Sequence, residues 1–355
     1  MRKLASIQVI NNLKPIPGAD KIEVAKILGW DVIVKKGDFQ IGDKTVYCET
    51  DSVLPERPEF EFLKPRKMRV RIVRMKNQIS QGICFPLSIL PDNSVFSVGD
   101  DVTELLGIKK YEEPIPAQLV GEVKGLFPSF IPKTDETRVQ ILQELLDKYA
   151  GTKCYVAEKL DGSSSTFFIN NGEFGVCSRN LQLKLQDKPN WFNKALVALR
   201  LKKPPKKLSN TLLKLANQLQ LEKKLKSLKR NIALQGEVIG EGIQKKKGKE
   251  LYALKGQQVY FFNAWDIDKQ EYLSFASFME LMDRLQLQCV PFDRFVLLGT
   301  DIDELVERSK GVSALNENTL REGIVVRPIE ETRDEKFGRV SFKVINPEFL
   351  LKYEE

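Results

Sequence analysis

Glu158-Lys159-Leu160-Asp161-Gly162 sets a lysine at the end of a strand-like run, with a carboxylate two residues further on. The chain contains no histidine, so the commonest general base and metal ligand is missing. Any catalysis must therefore run on Lys, Asp, Glu and Arg. A lysine placed this way is a candidate covalent nucleophile. Taken alone, Lys-x-Asp-Gly arises by chance in about one chain in fifteen of this length. The type and order of the motifs C-terminal to it carry more weight. Downstream stand Ser178-Arg179-Asn180, Gln235-Gly236-Glu237, Gly240-Glu241-Gly242-Ile243-Gln244, Phe261-Phe262-Asn263-Ala264-Trp265-Asp266, Arg321-Glu322-Gly323-Ile324-Val325-Val326-Arg327 and Ser341-Phe342-Lys343-Val344-Ile345-Asn346.

The elements that must position these residues are mostly strands. Lys153–Lys159 reads as the nucleophile strand, and Ser165–Ile169 and Phe174–Ser178 flank Asn170-Asn171-Gly172, a strong hairpin signal. Gln258–Trp265, Gly323–Arg327 and Arg339–Ile345 complete the β pattern, with helices expected at Asp135–Lys148, Phe275–Leu287 and Ile302–Lys310. Residues 1–107 read as short strands (Ile7–Ile10, Ile22–Ile27, Trp30–Lys35, Lys44–Glu49, Arg66–Arg74, Gly82–Leu87) broken by turns, which suggests a small OB-like barrel. Residues 108–132, with Pro114, Pro116, Pro128 and Pro132, read as a linker. The fold class is α+β: the barrel, then antiparallel sheets with helices over residues 133–355, interrupted by a basic helical insertion at about 190–230.

Two basic stretches stand out. Lys64–Lys76 carries seven Lys or Arg and no acid. Period two puts Arg69 and Arg71 on one face and Val70 and Ile72 toward the core. Such a strand, continued by Arg74 and Lys76, is either a charge-blunted edge or a phosphate-tracking face. Residues 194–230 hold twelve Lys or Arg against the single acid Glu222, and serve as surface decoration or a nucleic-acid clamp. The net charge of +8 favours a polyanionic partner. With 42% apolar and 29% charged residues the chain is globular, and it lacks both a membrane span and a signal-like apolar run. An intracellular, cytoplasmic place is expected. Five cysteines without a CxxC pair point to reduced thiols and no structural zinc site.

The ordered motifs resemble those of the covalent nucleotidyltransferases, which include polynucleotide ligases and mRNA capping guanylyltransferases. Within that superfamily the chain looks most like ATP-dependent RNA ligases of the phage nick-sealing type. The stretch GEVIGEGIQK is especially close to them. The segments KPIPGAD, SQGICFPLSIL and DVTELLGI, and the run from Phe130 to Gln140, resemble Deinococcus- and Naegleria-type RNA ligases with an N-terminal OB module. The core implied is an ATP-grasp-like nucleotidyltransferase domain.

That resemblance implies ATP as cosubstrate, Lys159 as the residue that carries AMP, and Mg²⁺ or Mn²⁺ as cofactor. An unperturbed lysine is almost wholly protonated at pH 7, so a cation must help to lower its pKa. Asp161, Glu237 and Glu322 are the acids expected to hold that cation, partly through its water shell. By resemblance Trp265 stacks on adenine with Val325 opposite, and Glu158 meets the adenine edge. Arg179, with Asn180, serves ribose and phosphate, and Arg138 touches phosphate. Lys343 contacts the α-phosphate. Many relatives carry a second lysine two residues later, where this chain has Ile345; Lys343 alone, Lys352 or Arg327 could fill that role. The partner implied is RNA with 5′-phosphate and 3′-OH ends, in a nicked duplex, with a monomeric enzyme acting in repair. A DNA ligase, a capping guanylyltransferase and a non-catalytic RNA-binding protein with a ligase-like core are the competing readings. The first two carry their OB domain after the core in their best-known members. With Glu355 about a dozen residues past Lys343, no such domain is expected here.

Overall fold

The computed structural model describes residues 3–76, 78–91, 95–111, 123–185, 210–243 and 250–353. In the N-terminal part, Ala5–Val9, Lys44–Cys48 and Ile83–Phe85 form one antiparallel sheet. Asn12–Pro15, Ile22–Ile27 and Trp30–Lys35 form a second. The hairpin of Ile72–Met75 and Gln78–Gln81 joins them: Ile33 N–H donates to Ser80 Oγ at 2.9 Å, and Tyr47 Oη donates to the Gln81 carbonyl at 2.8 Å. Alternation explains the inside: Trp30, Val32 and Val34 are buried while their neighbours are not. Residues Arg66–Arg74 are not one strand. A 3-10 helix spans Pro58–Arg66, and Lys67 and Met68 both take positive φ (53° and 60°). The chain turns there, so Arg69 and Arg71 precede the strand instead of lying within it.

The remainder is built on two sheets. Seven strands run in the order Val123–Leu126, Leu181–Leu183, Glu173–Ser178, Ser163–Asn170, Ile232–Gly240, Gln257–Asp266 and Glu271–Tyr272, all antiparallel. Five run in the order Thr137–Arg138, Phe342–Ile345, Gly323–Pro328, Lys153–Lys159 and Phe292–Leu297. The first of these pairs is parallel. The expected hairpin turns through Asn171 and Gly172, both at positive φ (49° and 80°), as a two-residue connection requires.

Three further sequence expectations change. The helix at 135–148 begins only at Gln143, because Thr137–Arg138 is taken up as a strand beside Phe342–Lys343. Pairing across the fold overrides the local helical period, although Val139, Leu142, Leu145 and Leu146 are buried as that period required. The linker is partly strand: Lys109–Lys110 pairs with Ser52–Val53, and Val123–Leu126 edges the larger sheet. Of the basic insertion, residues 190–209 lie outside the described residues. Its helices Thr211–Gln218 and Leu221–Ser227 bury Leu212, Leu215 and Leu225 against the seven-stranded sheet, so this part of the insertion is core. The helix Phe275–Leu285 shares that core, and Ile302–Ser309 backs the smaller sheet.

The barrel docks on the sheets through close contacts. Gly29 N–H donates to the Gln140 carbonyl at 3.0 Å, and a Cβ on Gly29 would meet Gln140 Cα at 2.9 Å. Lys26 pairs with Asp303 at 2.9 Å, and Ile72 joins a buried cluster with Tyr155 and Leu350. Among the described residues, no helix is long and apolar enough to cross a membrane.

Candidate active site

Lys159 is the last residue of its strand in the smaller sheet, and Ser163 opens a strand of the larger one. The chain thus crosses between the sheets within Leu160-Asp161-Gly162. Register then sorts the side chains. Tyr155, Ala157 and Lys159 face the inter-sheet cleft, where Tyr155, Ala157 and Leu160 pack with Ile239 and Tyr260 of the opposite sheet. Glu237 pairs with Ser164 and Tyr260 and lies on the cleft face with Ile239.

Lys159 Nζ donates to Glu322 Oε2 at 2.6 Å, and both side chains are largely covered. Burial pulls the lysine pKa down, but Glu322, Glu237 and Asp161 outweigh it and hold it above the ordinary value. Glu237 is pushed up to about 8 by burial; Lys159 opposes that rise, and Glu322 and Asp161 reinforce it. Asp161 N–H donates to Tyr252 Oη at 2.9 Å, which fixes the turn. Gly162 must be glycine, since a Cβ there would meet the Val238 carbonyl oxygen at 2.3 Å.

One row across the smaller sheet gathers further expected residues. Arg138 is the strand partner of Lys343, Lys343 of Val325, and Val325 of Ala157. Paired residues point to the same face, so this row flanks the Lys159–Gly323–Ile345 row on the cleft side. Asp135, which sequence reasoning missed, ties in Arg179 at 2.6 Å and Lys110 at 3.5 Å. Burial would raise its pKa, yet Arg179, Lys110 and Lys343 together lower it. Asn180 Oδ1 accepts from Lys133 Nζ at 3.1 Å.

The position of the second lysine is resolved toward the core. Ile345 is buried in the inter-sheet cluster. Arg327 is committed elsewhere, donating to Glu136 (2.9 Å), Ser341 (2.9 Å) and the Phe262 carbonyl (3.2 Å). Lys352 sits exposed on the C-terminal helix Pro347–Tyr353.

Two adenine assignments do not hold geometrically. Glu158 alternates to the opposite face from Lys159, where Oε2 accepts from Ala314 N–H at 2.8 Å. Trp265 pairs with Ala233, four residues from the Glu237 row, or roughly 13 Å along the strand. Its indole N–H donates to the Phe130 carbonyl at 3.1 Å, and Phe127, Phe130 and Ile131 pack over it. Phe262, at a bulge opposite Gln235 and Gly236, packs half-buried against the cluster that holds Tyr155 and Ala157. The aromatic run Phe261–Trp265 was visible in sequence, but the bulge was not. Of the basic strand, Arg74 and Lys76 are exposed, whereas Arg69 is drawn inward to Asp51 at 2.6 Å.

Three carboxylates around one ammonium leave excess negative charge, and Glu237, raised first by burial, is raised further by Glu322 and Asp161. Hard oxygen donors with that charge deficit suit Mg²⁺ or Mn²⁺ held partly through water. Among the described residues no group of three or more His, Cys, Asp or Glu is close enough to hold a metal ion by itself.

An OB-fold domain model matches residues 4–87, and the RNA ligase family model matches residues 152–345. Curated protein sequences gave no match. Among solved structures, Naegleria gruberi RNA ligase with pyrophosphate is 35% identical, covers 100% of this chain and 99% of its own, and superposes with a TM-score of 0.85. A lysine-to-alanine variant of that ligase with ATP and Mn shows the same identity and TM-score, covering 99% of each chain. A glutamate-to-alanine variant with AMP and Mn does likewise, at 99% of each chain. The N-terminal barrel is thus an OB fold. With a family model over more than half its length and such relatives over nearly all of it, the chain belongs to the RNA ligase family.

Proposed function

We propose that this protein is an ATP-dependent RNA ligase that seals 3′-OH/5′-phosphate breaks through a lysyl-AMP intermediate on Lys159. The observation that carries the reading is Lys159 at the turn between the sheets, 2.6 Å from Glu322 and facing Glu237 and Asp161. The ATP, AMP, pyrophosphate and Mn of its relatives support the choice of cosubstrate and metal.

In the first step Lys159 Nζ bonds to the α-phosphorus of ATP and pyrophosphate leaves. AMP then passes to the 5′-phosphate of an RNA strand, which frees the lysine. A 3′-OH attacks that activated end, the phosphodiester forms, and AMP departs. Asp161, Glu237 and Glu322 are the residues that would hold a divalent cation, whose charge would free the lysine from its carboxylates and offset charge on the phosphates. Lys343 and Arg138, neighbours on one row, stabilise phosphate charge. Phe262 and Val325 wall the base, and Arg179 with Asn180 serves the sugar side. Residues 1–107 form the RNA-gripping module, with Arg74 and Lys76 on its exposed hairpin, residues 108–132 the linker, and residues 133–355 the adenylyltransferase. A monomer acting on nicked duplex RNA in repair completes the reading.

The test is an incubation of the purified protein with α-labelled ATP or GTP and Mn²⁺, resolved on a denaturing gel. Label from ATP that disappears in Lys159→Ala is expected. No label from ATP, or label that persists in that variant, refutes the mechanism. Label from GTP alone moves the protein to the capping enzymes. RNA, DNA and hybrid nicks compared side by side then assign the strand.

A further inference from the structure

Between the helix Ile302–Ser309 and the strand Gly323–Pro328, the chain has no part in the lysine chemistry until it reaches Glu322. It folds there into a short hairpin, with Val312–Ser313 paired to Asn316–Leu320. This hairpin reaches the nucleophile turn from two directions. Ala314 N–H donates to Oε2 of Glu158, the residue before Lys159, at 2.8 Å. On the other side Thr319 Oγ1 and Asn316 Nδ2 each donate to the Leu251 carbonyl at 2.7 Å. The next residue is Tyr252, whose Oη accepts the Asp161 N–H at 2.9 Å.

The last contact answers a need of the backbone. Asp161 lies past the end of Lys153–Lys159 and before the start of Ser163–Asn170, so neither strand ladder supplies an acceptor for its amide. A phenol supplies it instead. Glu158, Leu251, Tyr252 and Thr319 are 4%, 4%, 3% and 6% exposed, so water has little access to replace these bonds. Burial pushes the Tyr252 phenol far above its ordinary value, outweighing the Asp161 N–H, and Glu322, Asp161 and Glu158 raise it further. The group therefore stays a neutral hydroxyl.

We infer that the hairpin of residues 312–320 is a brace for the nucleophile turn, and that Tyr252 is the positioning residue through which it sets Asp161. The brace runs on into Glu322, so one piece of chain places two of the three carboxylates around Lys159. Tyr252 acts through Asp161 alone and bonds no reacting atom. The consequence for metal rests on the ligase reading; the brace itself rests on the hydrogen bonds.

The experiment uses the full chain with Tyr252→Phe, Thr319→Val and the two combined. Tyr149→Phe is the control, since Tyr149 Oη donates to Asp334 at 3.0 Å and its ring packs on the cluster of Val139 and Leu146. Hydrogen exchange of a peptide covering residues 158–163 is read by mass spectrometry, without nucleotide or metal. Tyr252→Phe should speed that exchange about tenfold, as loss of one buried hydrogen bond implies. Labelling of Lys159 is then titrated with Mn²⁺ and with ATP. The Mn²⁺ concentration for half-maximal labelling should rise about tenfold, as loss of a group that orients a metal ligand does. The half-saturating ATP concentration at excess Mn²⁺ should hold, and excess Mn²⁺ should restore labelling. Thr319→Val should move both readouts the same way but less, because Asn316 still holds Leu251. The combined variant should match Tyr252→Phe alone, since the two bonds act in series. Unchanged exchange in Tyr252→Phe, equal exchange in Tyr149→Phe, additive effects in the combined variant, or labelling lowered equally at every Mn²⁺ concentration would each overturn the brace. If the unaltered protein takes no label yet the exchange responses appear, the ligase reading fails and the brace stands.

Discussion

Phe262 and Trp265 stand three residues apart on one strand, yet the segment Phe127–Ile131 packs with Trp265, while Phe262 packs against the cluster that holds Tyr155 and Ala157. Their replacement should separate nucleotide binding from folding. Phe262→Ala is expected to raise the ATP concentration for half-maximal Lys159 labelling by about tenfold, since base–aromatic stacking is worth ~1–3 kcal/mol. Trp265→Ala should leave that concentration unchanged and cost about 3–5 kcal/mol in denaturant unfolding. Labelling titrations and urea melts on both variants decide the assignment.

Arg327 clamps the two sheets by bonding Glu136 and Ser341 on one side and the Phe262 carbonyl on the other. Arg327→Leu strands the Glu136 carboxylate in a covered site. A loss of about 3–5 kcal/mol is expected from chemical denaturation, as for other broken buried pairs. The double variant Arg327→Leu with Glu136→Leu should recover much of it.

The same pair sets an acid limit. Burial would raise the Glu136 pKa, but Arg327 and Arg339 bring it below 4.5. A carboxyl depressed on folding adds stability above its unfolded pKa and loses that stability as pH falls through the folded one. The stability gap between wild type and Glu136→Gln should therefore be flat near neutrality and shrink below pH 4.5. Melts from pH 7 downward measure it.

Gly162→Ala would drive a methyl to 2.3 Å from the Val238 carbonyl oxygen and 3.0 Å from Glu237 Cγ. The backbone oxygen has nowhere to go, so the turn carrying Asp161 must shift. A cost of ~1–3 kcal/mol is expected, with labelling of Lys159 reduced well beyond the loss of folded protein. Gly125→Ala, where nothing lies within 4 Å, is the neutral control.

Burial pushes Cys84, Cys154 and Cys177 up to about 12 and Cys48 higher still, so none supplies much thiolate at neutral pH. A thiol reagent at pH 8 should modify these four slowly in the folded protein without loss of lysine labelling. In guanidinium all five cysteines should titrate rapidly.

Much of this was legible in the residues themselves. The strands Ile22–Ile27 and Trp30–Lys35 alternate cleanly and form where alternation puts them. The Asn-Gly turn and the starts of the helices at Phe275 and Ile302 come from local chemistry. The features that stayed hidden depend on distant partners. Thr137–Arg138 looks helical until Phe342–Lys343 claims it, and the bulge that singles out Phe262 belongs to a register between two strands. Arg69 reads as a free basic residue until Asp51 and Tyr111 enclose it. Ile345 looks like a missing lysine, while the packed cluster around it shows an apolar position.

The separation of Lys159 from Glu322 by 163 positions also bears on how the protein is made. Gly323–Pro328 lies between Lys153–Lys159 and Phe342–Ile345, so the smaller sheet closes only after both of those distant strands have been synthesised. A chain still leaving the ribosome carries the Lys159 amine in an unfinished sheet, without the carboxylate it will bond. Domains fold as units once their contacts are available. ATP consumption must then begin abruptly, once Phe342–Ile345 has emerged and the sheet can close.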